Sequence, residues 1–389
     1  MKARTVSYLV RRYDAYRRNT LNLIPSENII SAGVLKALSS NMAGRYAGRP
    51  ESYGGSKVFH EIWKTSEELA KQIFRCRAVS VSPISGHMAG LMALHNICPK
   101  EGRIAVLSSK NGGYTGYTEP FLPGVLGFKT SYLPYDWNSQ NIDVDKALFL
   151  VKRLKPDVVI LGATVFLFPH PVRVLAECVH SYGGKVMYDG SHVLGLIAGR
   201  SFQDPLREGA DVVTGSTHKT LFGPQGGIIF SDDEELMQQI ECSYLYKFMD
   251  NIHLNRVAAL AVALEEVEKH GSEYATHVIA NSKVLAKSLA SVKLPIAAPS
   301  CGYTNSHQIL LTVDNGLEVR NVLESAGIIA DSRVRFGTNE VTRLGMGRDQ
   351  MRESAALICA ALNERNPQEV RRKVFELTRH YQRVLYTLN

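Results

Sequence analysis

Six short apolar runs, centred near residues 79, 104, 158, 186, 212 and 228, are separated mostly by stretches of helical periodicity. That alternation constrains the fold more than any other feature. Strands that alternate with helices build an α/β layer sheet. In such a sheet the carboxyl ends of neighbouring parallel strands open onto one crevice, where functional groups gather. Two of the runs end in reactive residues. Lys185-Val186-Met187-Tyr188 leads into Asp189-Gly190-Ser191-His192, and Val212-Val213 leads through Ser216, Thr217 and His218 to Lys219 and a Gly/Pro-rich loop. Asp189 precedes Lys219 by 30 residues, about one βα unit and a strand, so acid and amine can meet at one sheet edge.

A lysine amine condenses with a carbonyl only when part of it is neutral, a state favoured by desolvation and a nearby cation. A carboxylate facing such a lysine is the pairing expected around pyridoxal phosphate, where the acid keeps the pyridine nitrogen protonated. The competing reading of Asp189 is a helix N-cap. Ser216, Thr217 and Thr220 are placed to hold a phosphate or orient the amine. Ser85-Gly86-His87 follows a strand-like run and opens a helix, so its backbone N–H groups suit a phosphate as well. His87 is a phosphate donor, or a capping or core residue, on this reading. Arg335 offers a planar fork for a carboxylate. His192 and His218, beside the acid and the lysine, are candidates for orientation or proton relay.

Three segments together resemble serine hydroxymethyltransferase: Ser216-Thr-His-Lys219-Thr-Leu-x-Gly-Pro-x-Gly-Gly, Tyr188-Asp189-Gly-Ser-His192-Val-x-Gly-Leu and Leu23-Ile-Pro-Ser26-Glu-Asn28. The resemblance implies a fold-type I pyridoxal-phosphate transferase. That fold has an aspartate aminotransferase-like α/β large domain and a smaller α+β C-terminal domain. It implies Lys219 and Asp189 as the catalytic pair and Ser26 and Arg335 on the substrate carboxylate. Tyr114 takes the place of a stacking histidine, and Thr164 lies near the cofactor's phenolic oxygen. Tyr46 and Tyr53 are implied to reach across a homodimer interface. For Ser26 a helix cap, and for Thr164 an ordinary strand-end hydroxyl, stand as alternatives.

Departures from the resembled pattern matter as much. The family's loop carboxylate, two positions after the tyrosine matching Tyr46, is here Gly48, with Glu51 the nearest substitute. A Gly-rich loop is replaced by Tyr244-Leu245-Tyr246-Lys247-Phe248-Met249-Asp250-Asn251, and a folate-binding loop before Arg335 is cut to Ala330-Asp331-Ser332. The expected activity is therefore making or breaking the Cα–Cβ bond of a β-hydroxy amino acid, as an aldolase or transaldolase, without tetrahydrofolate. The alternatives are the folate-dependent reaction, and transamination, decarboxylation or racemisation. A non-enzymatic binding protein is a further alternative.

Composition sets the limits. The 389 residues are 45% hydrophobic and 21% charged, enough for two domains. No run approaches the roughly 18–20 apolar residues of a membrane span, and residues 1–19 lack an apolar signal core. Six scattered cysteines without ligand spacing point to buried reduced thiols, no metal and a cytoplasmic protein. The net charge of +8 gathers at the two ends. Because Val370, Val374, Leu377, Tyr381 and Leu385 recur at helical spacing, that charge reads as the wet side of an amphipathic helix rather than a nucleic-acid surface. The expected organisation is an N-terminal helical arm (1–25), a cofactor-binding α/β domain (26–250) and a bridging helix with a small domain (251–389).

Overall fold

The computed structural model describes residues 5–48, 53–244, 247–363 and 366–388. Seven strands form the central sheet: β1 Ala78–Ser80, β2 Arg103–Val106, β3 Lys129–Tyr132, β4 Val158–Leu161, β5 Lys185–Asp189, β6 Val212–Ser216 and β7 Gly227–Ser231. Their order is β1-β7-β6-β5-β4-β2-β3. Neighbours from β3 to β6 run parallel, whereas β7 is antiparallel to both β6 and β1. The reversal follows from chain length. Residues 217–226 are too few for a crossover helix, so the chain must return alongside itself.

The six apolar runs all become strands. The seventh strand, β3, is polar (Lys-Thr-Ser-Tyr) and half-exposed at the sheet edge, so it carries no apolar signal. By contrast Val158, Val159, Ile160 and Leu161 in the sheet centre are all buried, as strands covered on both faces must be.

The chain divides into two compact units, Ile30–Thr276 with Tyr386–Asn389, and Met1–Ile29 with His277–Leu385. The first holds the seven-stranded sheet. In the second, Leu21–Asn22 pairs in parallel with Ile328–Ile329, and Gln308–Leu310 pairs antiparallel with Arg335–Gly337. Its core joins Leu21 and Leu23 to Ile328, Phe336, Met351, Ile358, Val370 and Val374. The N-terminal segment is thus built into this unit by strand pairing, not set apart as in the 1–25 division. The boundary also falls later than residue 250, within one continuous helix, Leu254–Ser291.

Two further expectations are corrected. Cys76, Cys98 and Cys178 are buried, but Cys242 and Cys301 are exposed and Cys359 is intermediate. The last long helix, Pro367–Thr378, buries Val370, Val374 and Leu377 as expected, yet ends before Tyr381 and Leu385. Among the described residues no helix is long and apolar enough to cross a membrane, and no group of His, Cys, Asp or Glu is arranged to hold a metal.

Candidate active site

The carboxyl ends of β5 and β6 lie side by side, because Asp189 faces Thr214 across the parallel ladder. Beyond the strands the two chains stay laced together. Gly190 donates its N–H to the Thr214 carbonyl at 2.8 Å. Ser216 donates its N–H to Ser191 Oγ at 3.0 Å, and the Thr220 hydroxyl donates to the His192 carbonyl at 2.9 Å. Asp189, His192, Ser216, His218 and Lys219 are thereby gathered at one end of the sheet. The loop after Lys219 is closed by Thr217, whose hydroxyl donates to the Pro224 carbonyl at 2.6 Å.

Asp189 is buried and does not cap a helix. Its Oδ1 accepts the Ser191 N–H at 2.9 Å. The next helix, Leu194–Ala198, has Val193 at its N-cap. The other oxygen, Oδ2, accepts the hydroxyl of Tyr117 at 2.8 Å. Sequence reasoning missed Tyr117: it lies in a turn, 72 residues from its partner, and no spacing rule connects them.

Ser85 caps the helix Gly86–Ile97, its Oγ accepting the Met88 N–H at 3.1 Å. A Cβ at position 86 would stand 2.2 Å from Ser216 Oγ, so only glycine lets this turn close against the end of β6. His87 is exposed and does not cap the helix. Its Nδ1 makes a 3.0 Å hydrogen bond with the Tyr114 hydroxyl. The two rings meet edge-on, and Tyr114 meets Tyr117 in the same way at 5.3 Å. Burial first, and then the charge of Asp189, raise the Tyr114 phenol above its ordinary pKa. Thr164 donates its N–H to the Gly112 carbonyl at 2.8 Å, tying the end of β4 to the loop that carries Tyr114.

These residues suit a flat ring bearing an anionic tail. His218 Nδ1 is buried without a hydrogen-bond partner, the kind of orphaned polar atom that calls for an absent group. Burial, and secondarily Lys219, push its imidazole down to about 4, so it is neutral near pH 7. The Ser85-Gly86 turn presents a helix N-terminus to the same end of the sheet. Pyridoxal phosphate fits this set: Lys219 for its aldehyde, Asp189 for its ring nitrogen and Ser85-Gly86 for its phosphate.

Tyr46 and Tyr53 pair with each other. Both are about half exposed, with ring centroids 5.6 Å apart. Glu51 lies outside the described residues.

In the other unit, Arg335 is buried and clamped by Asp331. Its Nε and Nη2 donate to Asp331 Oδ2 at 2.8 and 2.6 Å. Asp331 Oδ1 accepts the backbone N–H groups of Arg333 and Arg335, which fixes the carboxylate. The segment holding Ser26 packs on the same strand. Gly337 donates its N–H to the Leu23 carbonyl at 2.7 Å, and the Pro25 carbonyl lies 3.2 Å from His307 Nε2. Ser26 is not a helix cap; Ser31 caps the helix Ala32–Leu38.

Residues 2–358 match the family described as serine hydroxymethyltransferase. The serine hydroxymethyltransferase of Methanopyrus kandleri is 40% identical, covering 97% of this chain and 93% of its own length. That of Aeropyrum pernix is 35% identical, covering 99% and 93%. Among solved structures, L-threonine transaldolase from Pseudomonas fluorescens matches with a TM-score of 0.91 at 25% identity, covering 98% of this chain and 92% of that one.

Proposed function

This chain belongs to the serine hydroxymethyltransferase family, and from that premise we propose that it makes or breaks the Cα–Cβ bond of a β-hydroxy amino acid without tetrahydrofolate. It is a fold-type I transferase whose cofactor is pyridoxal phosphate. When bound, that cofactor supplies an electron sink at Cα, so a bond to that carbon breaks with its electron pair withdrawn into the ring.

The chain's own residues do the rest. Lys219 would hold the cofactor's aldehyde through its amine. Asp189, fixed by two hydrogen bonds, would hold the ring nitrogen. Arg335 and Ser26 would take the substrate carboxylate, and a fixed carboxylate orients the bonds at Cα. His218 and His192 orient the groups beside the lysine, with His218 supplying a neutral nitrogen.

The observation that carries folate independence is the Asp331–Arg335 clamp. The residues at the place of a folate-binding loop are reduced to Ala330, Asp331 and Ser332. Asp331 is fully occupied with holding the guanidinium and two backbone N–H groups. Gly48 in place of the loop carboxylate supports the same reading.

Hydroxymethyl transfer is the second reading, favoured by the names of relatives 35–40% identical to this chain. One experiment separates the two. Purified enzyme given threonine or another β-hydroxy amino acid should release glycine and an aldehyde in the absence of tetrahydrofolate. Turnover of serine only when tetrahydrofolate is added would support the second reading instead.

The working form is a homodimer in the cytoplasm on this reading. The helix Val6–Arg18 buries none of its residues and leaves Val6, Leu9, Val10 and Tyr13 exposed. Apolar surface of that kind, with Tyr46 and Tyr53 also exposed, suits a second copy of the chain.

A further inference from the structure

Tyr117 belongs to no part of the reaction described so far, yet it touches the most constrained group in the site. It closes a short turn, Thr115–Tyr117, and is 2% exposed. Its hydroxyl donates to Asp189 Oδ2, while a backbone N–H takes Oδ1. The direction of donation is fixed by chemistry. Burial first, then the adjacent carboxylate, hold the phenol well above its ordinary pKa, so the proton stays on the phenol and Asp189 is the acceptor.

The helix opposite makes room for this contact. A Cβ at Gly90 would stand 2.4 Å from the Tyr117 hydroxyl and 3.1 Å from its ring. Glycine inside a helix is unfavourable relative to alanine, so its presence at the fifth position of Gly86–Ile97 serves the phenol. The ring of Tyr117 also abuts Tyr114 edge-on. One buried side chain therefore braces both the carboxylate and the aromatic ring.

We propose that Tyr117 is the positioning residue of Asp189: it locks the carboxylate's orientation and lowers its basicity, and so sets how tightly the cofactor's ring nitrogen keeps its proton. A hydrogen bond from a neutral donor disperses the charge of a carboxylate. Without it, Asp189 becomes a stronger base, and a protonated nitrogen beside it is held to higher pH. The inference rests on the reading that Asp189 faces that nitrogen.

The test uses holoenzyme loaded with cofactor labelled with nitrogen-15 in the ring, and follows the ring-nitrogen resonance as a function of pH. Tyr117→Phe should raise the pH at which that nitrogen loses its proton by about one unit, the scale of a lost hydrogen bond to a charged group. Placing 3-fluorotyrosine at position 117, a stronger donor of the same shape, should move the titration the other way, and it serves if the phenylalanine variant fails to fold. An unchanged titration, or a shift opposite in sign, overturns the proposal. Asp189→Asn distinguishes the two levels of failure. If that variant deprotonates the nitrogen near neutral pH while Tyr117→Phe changes nothing, Tyr117 is only a packing residue and the role of Asp189 stands. If Asp189→Asn leaves the resonance where it was, both readings fall together.

Discussion

Nδ1 of His87 and the hydroxyl of Tyr114 stand 3.0 Å apart, joining the residue after the Ser85-Gly86 turn to the aromatic ring at 114. The sequence shows a phenol at 114 where the resemblance implies an imidazole. The fold shows that this phenol is in contact with His87, so the two side chains form one unit. A phenol held above its ordinary pKa by burial is a weak acid–base group alone. Here its hydroxyl shares a hydrogen bond with the His87 imidazole.

If Tyr114 stacks on the cofactor, the ring rather than the hydroxyl should carry binding. Tyr114→Phe should keep cofactor affinity within about threefold. Tyr114→Ala should weaken it by about tenfold, since an aromatic contact contributes on the order of 1 kcal/mol beyond its area. Fluorescence titration of the apoprotein with pyridoxal phosphate measures both.

Asp331 holds the Arg335 guanidinium as an oriented fork, the group proposed to take the substrate carboxylate. Arg335→Lys should raise KM for the amino acid by roughly 10- to 100-fold with a smaller change in kcat, because a point charge cannot grip two oxygens. Asp331→Ala should raise KM in the same direction through loss of alignment. Steady-state kinetics with each variant, alongside wild type, read the split.

Much of this was legible before the fold was known. The six apolar strands follow from burial on both faces, and Asp189 and Lys219 follow from the ends of two neighbouring strands. The polar edge strand β3 was not legible, because half its residues face water and leave no apolar pattern. Nor was Tyr117, whose partner is remote in sequence and whose role depends on a gap left by Gly90. The reversal of β7 was available in principle from the short 217–226 connection. The Asp331 clamp needed coordinates, since a short segment before an arginine does not announce which way its carboxylate turns.

Glu340 gives a stability prediction. Its carboxyl accepts from Asn22 Nδ2 at 2.7 Å. Burial pushes its pKa up to about 7, with Glu27 adding to the rise and Asn22 and Arg17 opposing it. The folded state then binds a proton more tightly than the unfolded chain. The favourable contribution is complete below the ordinary carboxyl range and is lost as pH rises through about 7. Glu340→Gln removes that loss. Its melting temperature should match wild type near pH 5 and exceed it at pH 8, by a margin on the order of 2 kcal/mol in stability. Equal melting temperatures at both pH values would contradict the assignment.

The exposed helix Val6–Arg18 predicts self-association. Leu9→Glu together with Tyr13→Glu should shift the sedimenting species from dimer towards monomer, with the secondary structure unchanged by circular dichroism. A wild-type protein that sediments as a monomer across a wide concentration range would contradict the dimer reading.

The most direct test of the whole account is a product assay on the purified, cofactor-loaded enzyme with threonine, run with and without tetrahydrofolate. The account predicts equal yields of glycine and acetaldehyde in both, and none from Lys219→Ala. Release of a keto acid, or turnover that appears only when tetrahydrofolate is present, would contradict it.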